Sequence, residues 1–370
     1  MIQGYLLHLA MTANDIIKMR LGNQQLSKPL FTDPADVVRW LGAVQSQDYA
    51  GGKWGLACRL QKATDDGINK AFDAGSILRT HVLRPTWHFV LPEDIRWMVE
   101  LSEPRISAFS AKYFSDLGLD KSLFKRSNRI IVKALEAGEY LTKKEIGEAL
   151  EKGKIDTTEL RLTYIIIRAE LDRLICSGPR RGKQMTYALI DHRAPKARVL
   201  KRDEALRELA TRYFTSRGPA TVQDFAWWSG LSAMDSRKAI EIINAGLLKE
   251  AIDGQTYYYT SNPTVLDTKK GKQLHLLPSW DEYAVAYKDR RLLIDPQYEK
   301  HAGHGIFSPI AVVNGKIKGT WRRELKANAV EVEVRYFEDL TKSSREKMAA
   351  TARLYSRYLK RDLILKQVTT

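Results

Sequence analysis

Apolar residues recur in short helical runs, each opened by a capping residue and closed by glycine, and sets of such runs give way to alternating apolar and polar positions. The order is clearest in the middle of the chain. Thr221, with Asp224 three residues later, opens a helix through Phe225, Trp227 and Trp228 that stops at Gly230. Ser232 with Asp235 opens another, which carries Ile240, Ile242 and Ile243 to Gly246. Positions 247–252, the turn pair Asp253-Gly254 and positions 255–259 then read as a hairpin. An amphipathic segment over 203–215 supplies a preceding helix, and the set predicts a winged helix-turn-helix.

The same order precedes it. Thr142 and Glu145 form a capping box for a helix ending at Gly153, and Thr157-Thr158 open a longer one through Leu162, Ile165, Ile166, Leu171 and Leu174. Gly178-Pro179 breaks that helix, and 180–190 reads as a wing. A looser copy stands first, with helices beginning near Thr12, Asp33 and Ala50 and a hairpin over 77–90 that turns at Arg84-Pro85. Only the order of elements repeats, and no residue pattern does. The last hundred residues change character: strands over 273–277, 310–313, 316–321 and 330–337, a hairpin turn at Asn314-Gly315, and a helix over 343–360 with Met348, Leu354, Tyr355 and Leu359 on one face.

The expected fold is α+β and mainly helical: three tandem winged helix-turn-helix units, followed by a small C-terminal β-barrel or sheet domain with a terminal helix. Its expected divisions are 1–102, 103–200, 201–262 and 263–370.

A 370-residue chain that is 44% hydrophobic and 28% charged has enough apolar surface for several cores. Lysine and arginine number 60 against 44 acids, giving a net charge of +16, which favours a polyanionic partner, with nucleic acid ahead of a membrane surface. Cys58 and Cys176 are far apart and belong to no Cys-x-x-Cys pair, which fits a reducing cytoplasm and leaves no thiolate zinc site. The run Tyr5 to Ala10 is too short to span a bilayer and lacks a basic flank, so residues 1–10 read as an upstream extension and not as a signal peptide. The expectation is a cytoplasmic, nucleoid-associated monomer that binds duplex DNA and no membrane.

Candidate chemistry gathers at Val44-Gln45-Ser46-Gln47-Asp48-Tyr49, where two amides and a carboxylate follow a helix with Asp33 as N-cap and Pro34 at its first position. In an extended connection, side chains two apart point the same way, so Gln45 and Gln47 would face one cleft; the plainer reading is two polar loop residues that close a turn. Asp48 is either a supporting charge or the cap of the next helix. From Cys176 to Arg202, eight basic residues face the single acid Asp191, and Arg180, Arg181 and Lys183 stand where a wing tip meets phosphate. Arg84, Arg322 and Arg323 are further DNA-binding candidates. Asp281 and Glu282 are adjacent, so at most one is expected to reach a cleft. His301 and His304 lie among glycines with no third ligand, so neither metal nor cofactor is expected; His304 and Phe307 are instead cleft candidates, with Phe307 either a wedge between bases or, the plainer reading, packed into the β-domain.

Several strings together carry a resemblance: Gln45-Ser46-Gln47-Asp48-Tyr49 with Lys53-Trp54, Arg84-Pro85-Thr86-Trp87-His88-Phe89, 277–283 with Tyr287-Lys288-Asp289-Arg290, and 305–309. Over nearly its whole length the chain resembles the AlkZ-type winged-helix DNA glycosylases. The resemblance implies tandem winged helices and a C-terminal β-domain around a concave face of DNA size. It also implies excision of bulky alkylated purines or unhooking of interstrand crosslinks. The catalytic signature of that family is Gln-x-Gln, with Asp in the second place in a sister branch, which assigns the role to Gln45 and Gln47; Ser46 stands where the family usually has an aliphatic residue. An amide is no base at neutral pH, so these glutamines would orient water and present dipoles to a developing oxocarbenium. An N7- or N3-alkylated purine leaves without protonation, which makes such a site sufficient. The expected enzyme is a monofunctional glycosylase acting on alkylated duplex DNA; the alternative is a non-catalytic DNA-binding regulator.

Overall fold

The computed structural model describes residues 11–260, 273–303 and 308–369. The N-terminal extension, His304 and Phe307 lie outside these residues.

Helix α1 (Ala13–Asn23) opens at the expected capping box of Thr12 and Asp15. After it comes the first repeat: α2 (Pro34–Leu41), β1 (Val44–Gln45), α3 (Tyr49–Ala57), α4 (Asp65–Ala74), β2 (Leu78–Val82) and β3 (Thr86–Val90). The strands form an antiparallel sheet in the order β1-β3-β2. A long helix, α5 (Ile95–Asp116), leads to the second repeat: α6 (Lys121–Gly138), β4 (Leu141–Thr142), α7 (Lys143–Lys152), α8 (Arg161–Leu171), β5 (Ile175–Ser177) and β6 (Thr186–Leu189). Its sheet has the matching order β4-β6-β5. A single turn, α9 (Ile190–Arg193), precedes the third repeat: α10 (Arg202–Arg217), α11 (Val222–Ser229), α12 (Ala233–Ile243), β7 (Leu247–Ile252) and β8 (Gln255–Thr260). In that repeat the first strand shrinks to one bridge between Ala220 and Tyr258.

The C-terminal part begins with β9 (Leu274–Leu277) and one turn of helix, α13 (Glu282–Val285). It continues through β10 (Ile310–Val313), β11 (Lys316–Leu325), β12 (Ala329–Tyr336), α14 (Lys342–Leu359) and β13 (Asp362–Thr369). The sheet order is β13-β12-β11-β10-β9, and the two end strands do not pair, so of the barrel and the sheet expected here the described residues form an open sheet.

The structure departs from the sequence expectation at several elements. The three helices of the first repeat are α2, α3 and α4, and α1 stands outside it, where Arg20 and Asn23 donate to the backbone carbonyls of Pro219 and Gly218 just past α10. Helix α8 begins at Arg161, because Glu159 takes a left-handed backbone conformation (φ 51°) that a helix cannot hold. The buried stripe of α14 is Met348, Ala352, Tyr355 and Tyr358, while Leu354 is 53% exposed. Leu354 lies six residues beyond Met348 and so points to the far side of a 3.6-residue turn. Strand β13, parallel to β12, was not anticipated.

One hydrophobic cluster runs from α1 through α5, α10 and α11 into 283–294. A second joins α2, α3 and α4 to the C-terminal sheet and α14, with Trp54, Phe72, Phe89, Trp321 and Tyr355 among its members. The first repeat is therefore clamped between parts of the chain made much later. The Trp54 indole N–H donates to Leu276 O at 2.6 Å, and its ring meets Tyr355 edge-on at 4.8 Å.

Candidate active site

The loop Gln45 to Asp48 is moulded from both sides. Beneath it lies α3, whose glycine-rich sequence permits close approach: a Cβ at Gly52 would stand 3.0 Å from Gln45 O and from Ser46 Cα, and one at Gly55 would stand 3.2 Å from Asp281 Oδ2. Beside it lies β3, which takes Ser46 N–H on Trp87 O at 2.8 Å. From behind, Glu282 Oε1 accepts Gln45 N–H at 2.8 Å, and Glu282 Oε2 accepts from Arg217 (2.6 Å) and the Trp228 indole (2.9 Å). Burial pushes the Glu282 pKa up, but the Arg217 guanidinium, with its hydrogen bond and that of the Gln45 N–H, outweighs it and holds it below the ordinary value.

Both glutamine side chains reach toward the start of β3. Gln45 is 7% exposed; its Oε1 accepts Gln47 N–H at 2.9 Å and its Nε2 donates to Thr86 Oγ1 at 3.2 Å. Gln47 is exposed, and its Oε1 accepts Trp87 N–H at 3.1 Å. A backbone N–H can only donate, so these two contacts fix which end of each amide is oxygen. Each carbonyl oxygen keeps a second lone pair. Between them Ser46 is fully buried, and its Oγ has no partner among the described residues.

Asp48 occupies the N-cap position of α3 but makes no capping hydrogen bond, and its Oδ2 lies 3.4 Å from Arg323 Nη2 instead. Arg323 also lines a cavity of about 340 Å³ beside the loop, with Ala50, Lys53, Tyr355, Tyr358 and Lys360. Lys53 is 4% exposed and donates to Asp65 Oδ1 (2.5 Å) and Asn69 Oδ1 (2.9 Å). Burial lowers its pKa while Asp65 opposes the shift. Held in this way, the amine is not presented to the loop as a nucleophile. A larger cavity of about 750 Å³ lies between the third repeat and 288–299, and no loop residue lines it.

The remaining candidates fall elsewhere. Asp281 and Glu282 are both buried in ion pairs, Asp281 with Arg59 at 2.8 Å, so each holds the scaffold and neither carboxylate opens to a cleft. Arg180 is bound to Asp73 of α4 through its backbone N–H, Nε and Nη2, and Arg181 to Glu145. Lys183 is exposed. Arg322 pairs with Glu333 at 2.6 Å. Arg84, in the turn between β2 and β3, is largely enclosed, and burial lowers its pKa. The sequence reading missed Thr86, Trp87, Glu282 and Arg217 as supports of the loop, because each acts through a long-range contact that no local spacing encodes.

With this geometry in view, a family model described as "DNA glycosylase AlkZ-like" matches residues 38–358. The chain belongs to the AlkZ-like DNA glycosylase family. The interstrand DNA cross-link repair glycosylase of Streptomyces sahachiroi is 22% identical over 322 residues, covering 83% of this chain and 86% of that protein. The solved structure of the Streptomyces sahachiroi DNA glycosylase AlkZ superposes with a TM-score of 0.77 at 20% identity, over 96% of this chain and all of that one, a likeness of fold. AlkZ-like membership makes the chain a DNA glycosylase, and DNA its substrate. The match spans the loop, α3, β3 and the Glu282 anchor in one continuous stretch.

Proposed function

We propose that this AlkZ-like glycosylase hydrolyses the N-glycosidic bond of bulky or cationic alkylated purines in duplex DNA, with interstrand crosslinks among its substrates. Gln45 and Gln47 are the catalytic pair and Asp48 is their supporting charge. The observation that carries the reading is the fixed orientation of the two amide oxygens, each held by a backbone N–H beside the exposed side of the loop. A water held by the free lone pair of Gln47 Oε1 is placed for attack on the sugar, while the amide dipoles and Asp48 stabilise positive charge developing there. The base already carries its charge, so no general acid is needed. Nothing in the step calls for a lysine nucleophile, which agrees with Lys53 being occupied by Asp65.

In this reading the three repeats are winged helix-turn-helix units within 1–102, 103–200 and 201–262, and 263–370 is the β-domain. Each repeat has the helix order, and the first two have the strand order, that such units use. The protein acts as a monomer in the cytoplasm, on the chromosome. Lys183 is the cationic group offered most freely to phosphates, Arg323, Arg322 and Arg181 reach them by exchanging their carboxylate partners, and Arg180 and the largely enclosed Arg84 come last.

The test is single-turnover excision of an N7-alkylguanine from a duplex, with DNA binding measured alongside. Gln45→Ala/Gln47→Ala is expected to excise about 10²- to 10³-fold more slowly with little change in affinity, the scale of losing oriented polar groups. Excision by the double variant at the unaltered rate would reduce the glutamines to loop residues. Binding without excision by the unaltered protein would replace this reading with the DNA-binding regulator.

A further inference from the structure

The loop has a support that originates outside the first repeat. Glu170 lies on α8 of the second repeat, is wholly buried, and meets His81 Nδ1 with Oε2 at 2.6 Å. Its other oxygen has no partner among the described residues. His81 stands opposite Trp87 across β2 and β3, with ring centroids 4.1 Å apart. Arg79, two residues earlier on the same face of β2, sets its guanidinium 4.3 Å from the Trp87 ring centre and donates to Ser46 O through Nε (3.2 Å) and Nη2 (3.0 Å). Its backbone N–H is fixed in turn by Ser177 Oγ of β5 at 2.8 Å. Burial lowers the Arg79 pKa, and the Glu170 charge is the largest opposing influence. Trp87 closes the circuit, since its N–H holds Gln47 Oε1 and its carbonyl holds Ser46 N–H.

We infer that Glu170 is a positioning residue for the Gln45–Gln47 loop, which makes the second repeat part of the catalytic scaffold of the first. A buried carboxylate is costly, and an apolar side chain of like volume often serves stability as well or better. What the carboxylate adds is orientation. It sets the plane of His81, and so the Trp87 strand edge that fixes Gln47. A shift of the Gln47 oxygen by a fraction of an ångström moves the water it holds, and misplacement on the 1 Å scale costs about 10²-fold in rate.

The inference rests on the catalytic reading of Gln47, and a double-mutant cycle separates the two. Full-length Glu170→Gln, Gln47→Ala and the double variant are compared in single-turnover excision of N7-methylguanine from a duplex, with DNA affinity and thermal unfolding measured in parallel. Glu170→Met, which removes the charge and keeps the volume, guards against loss of the fold. The expected result is a maximal rate about ten-fold lower for Glu170→Gln and for Glu170→Met, unchanged affinity, and less than a two-fold further effect of either change in the Gln47→Ala background. Excision by Glu170→Met at the unaltered rate overturns the inference, as does a Glu170 effect that multiplies fully with that of Gln47→Ala. If Gln47→Ala itself excises normally, or the unaltered protein excises nothing, the catalytic reading fails and this inference falls with it.

Discussion

Asp48 and Arg323 face each other at 3.4 Å across 275 residues of sequence, and the pair joins the candidate catalytic loop to β11. Neither side chain is fully enclosed, and Asp48 gives up the helix-capping bond that its position would allow. A DNA phosphate arriving at Arg323 would compete with the carboxylate for the same guanidinium.

Separate roles follow for the two residues. Arg323→Ala is expected to weaken DNA binding and lower the steepness of its salt dependence by about one unit. Asp48→Asn should leave that slope in place and slow excision by about ten- to a hundred-fold, as the charge proposed to support the glutamine pair is lost. Affinity over a salt series and single-turnover rates check both, and equal losses of binding and rate in the two variants would show that the pair acts only as a structural tie.

The basic connection between β5 and β6 in the second repeat divides in the same manner. Lys183→Ala should weaken binding to all DNA sequences alike and remove about 0.9 from the slope of log affinity against log salt. Arg180→Ala should act first on stability, by roughly 1 kcal/mol, because Arg180 ties the β5–β6 connection to Asp73 in the first repeat. Urea unfolding read beside the binding curves distinguishes them.

Breaking the anchor behind the loop should cost more. Arg217 and Glu282 are both fully buried, so Arg217→Met strands a carboxylate in the interior and is expected to destabilise the protein by about 3–5 kcal/mol. Replacing both, Arg217→Met with Glu282→Leu, should recover much of that stability while excision stays low, because Gln45 N–H has lost its acceptor. Denaturant midpoints and excision rates give the comparison.

Acid should destabilise the protein through His88, which is wholly buried, and His275, which is half-buried with its ring Nε2 enclosed. Burial pushes His88 down to about 3 and His275 down to about 4, from an ordinary value of 6.5. Below pH 6.5 the unfolded chain binds protons that the folded chain refuses, so stability falls as pH drops, by about 1.4 kcal/mol per pH unit for each histidine until its folded pKa is reached. Urea midpoints at pH 7 and pH 5 test this, and His88→Gln should flatten the dependence.

What the sequence made legible was local. The capping boxes at Thr12, Thr142 and Thr221, the Asn314-Gly315 hairpin and the β7–β8 hairpin are where their residues put them, since each depends on neighbours within a few positions. Helix α4 was legible and missed: Thr64 accepts from Gly67 N–H at its start, Ile68 and Phe72 make its buried stripe, and Gly75 ends it. Strand β13 was not legible, because Asp362 to Thr369 alternates no more clearly than a surface segment and its order comes from parallel pairing with β12. At the loop, the residue types pointed to amides and a carboxylate. Which atoms they face depended on Trp87, Glu282 and Arg323, and only the fold brings these together.

The Gln45–Glu282 bond also bears on how the protein is made. The loop leaves the ribosome 237 residues ahead of the carboxylate that holds its backbone, an interval of roughly ten to fifty seconds at ordinary elongation rates. Throughout that interval Gln45 has no Glu282, Trp54 has no Leu276 carbonyl and Asp48 has no Arg323. The nascent first repeat therefore carries the proposed catalytic residues without the contacts that hold them in the finished fold, and these form only when the end of the chain closes over its beginning.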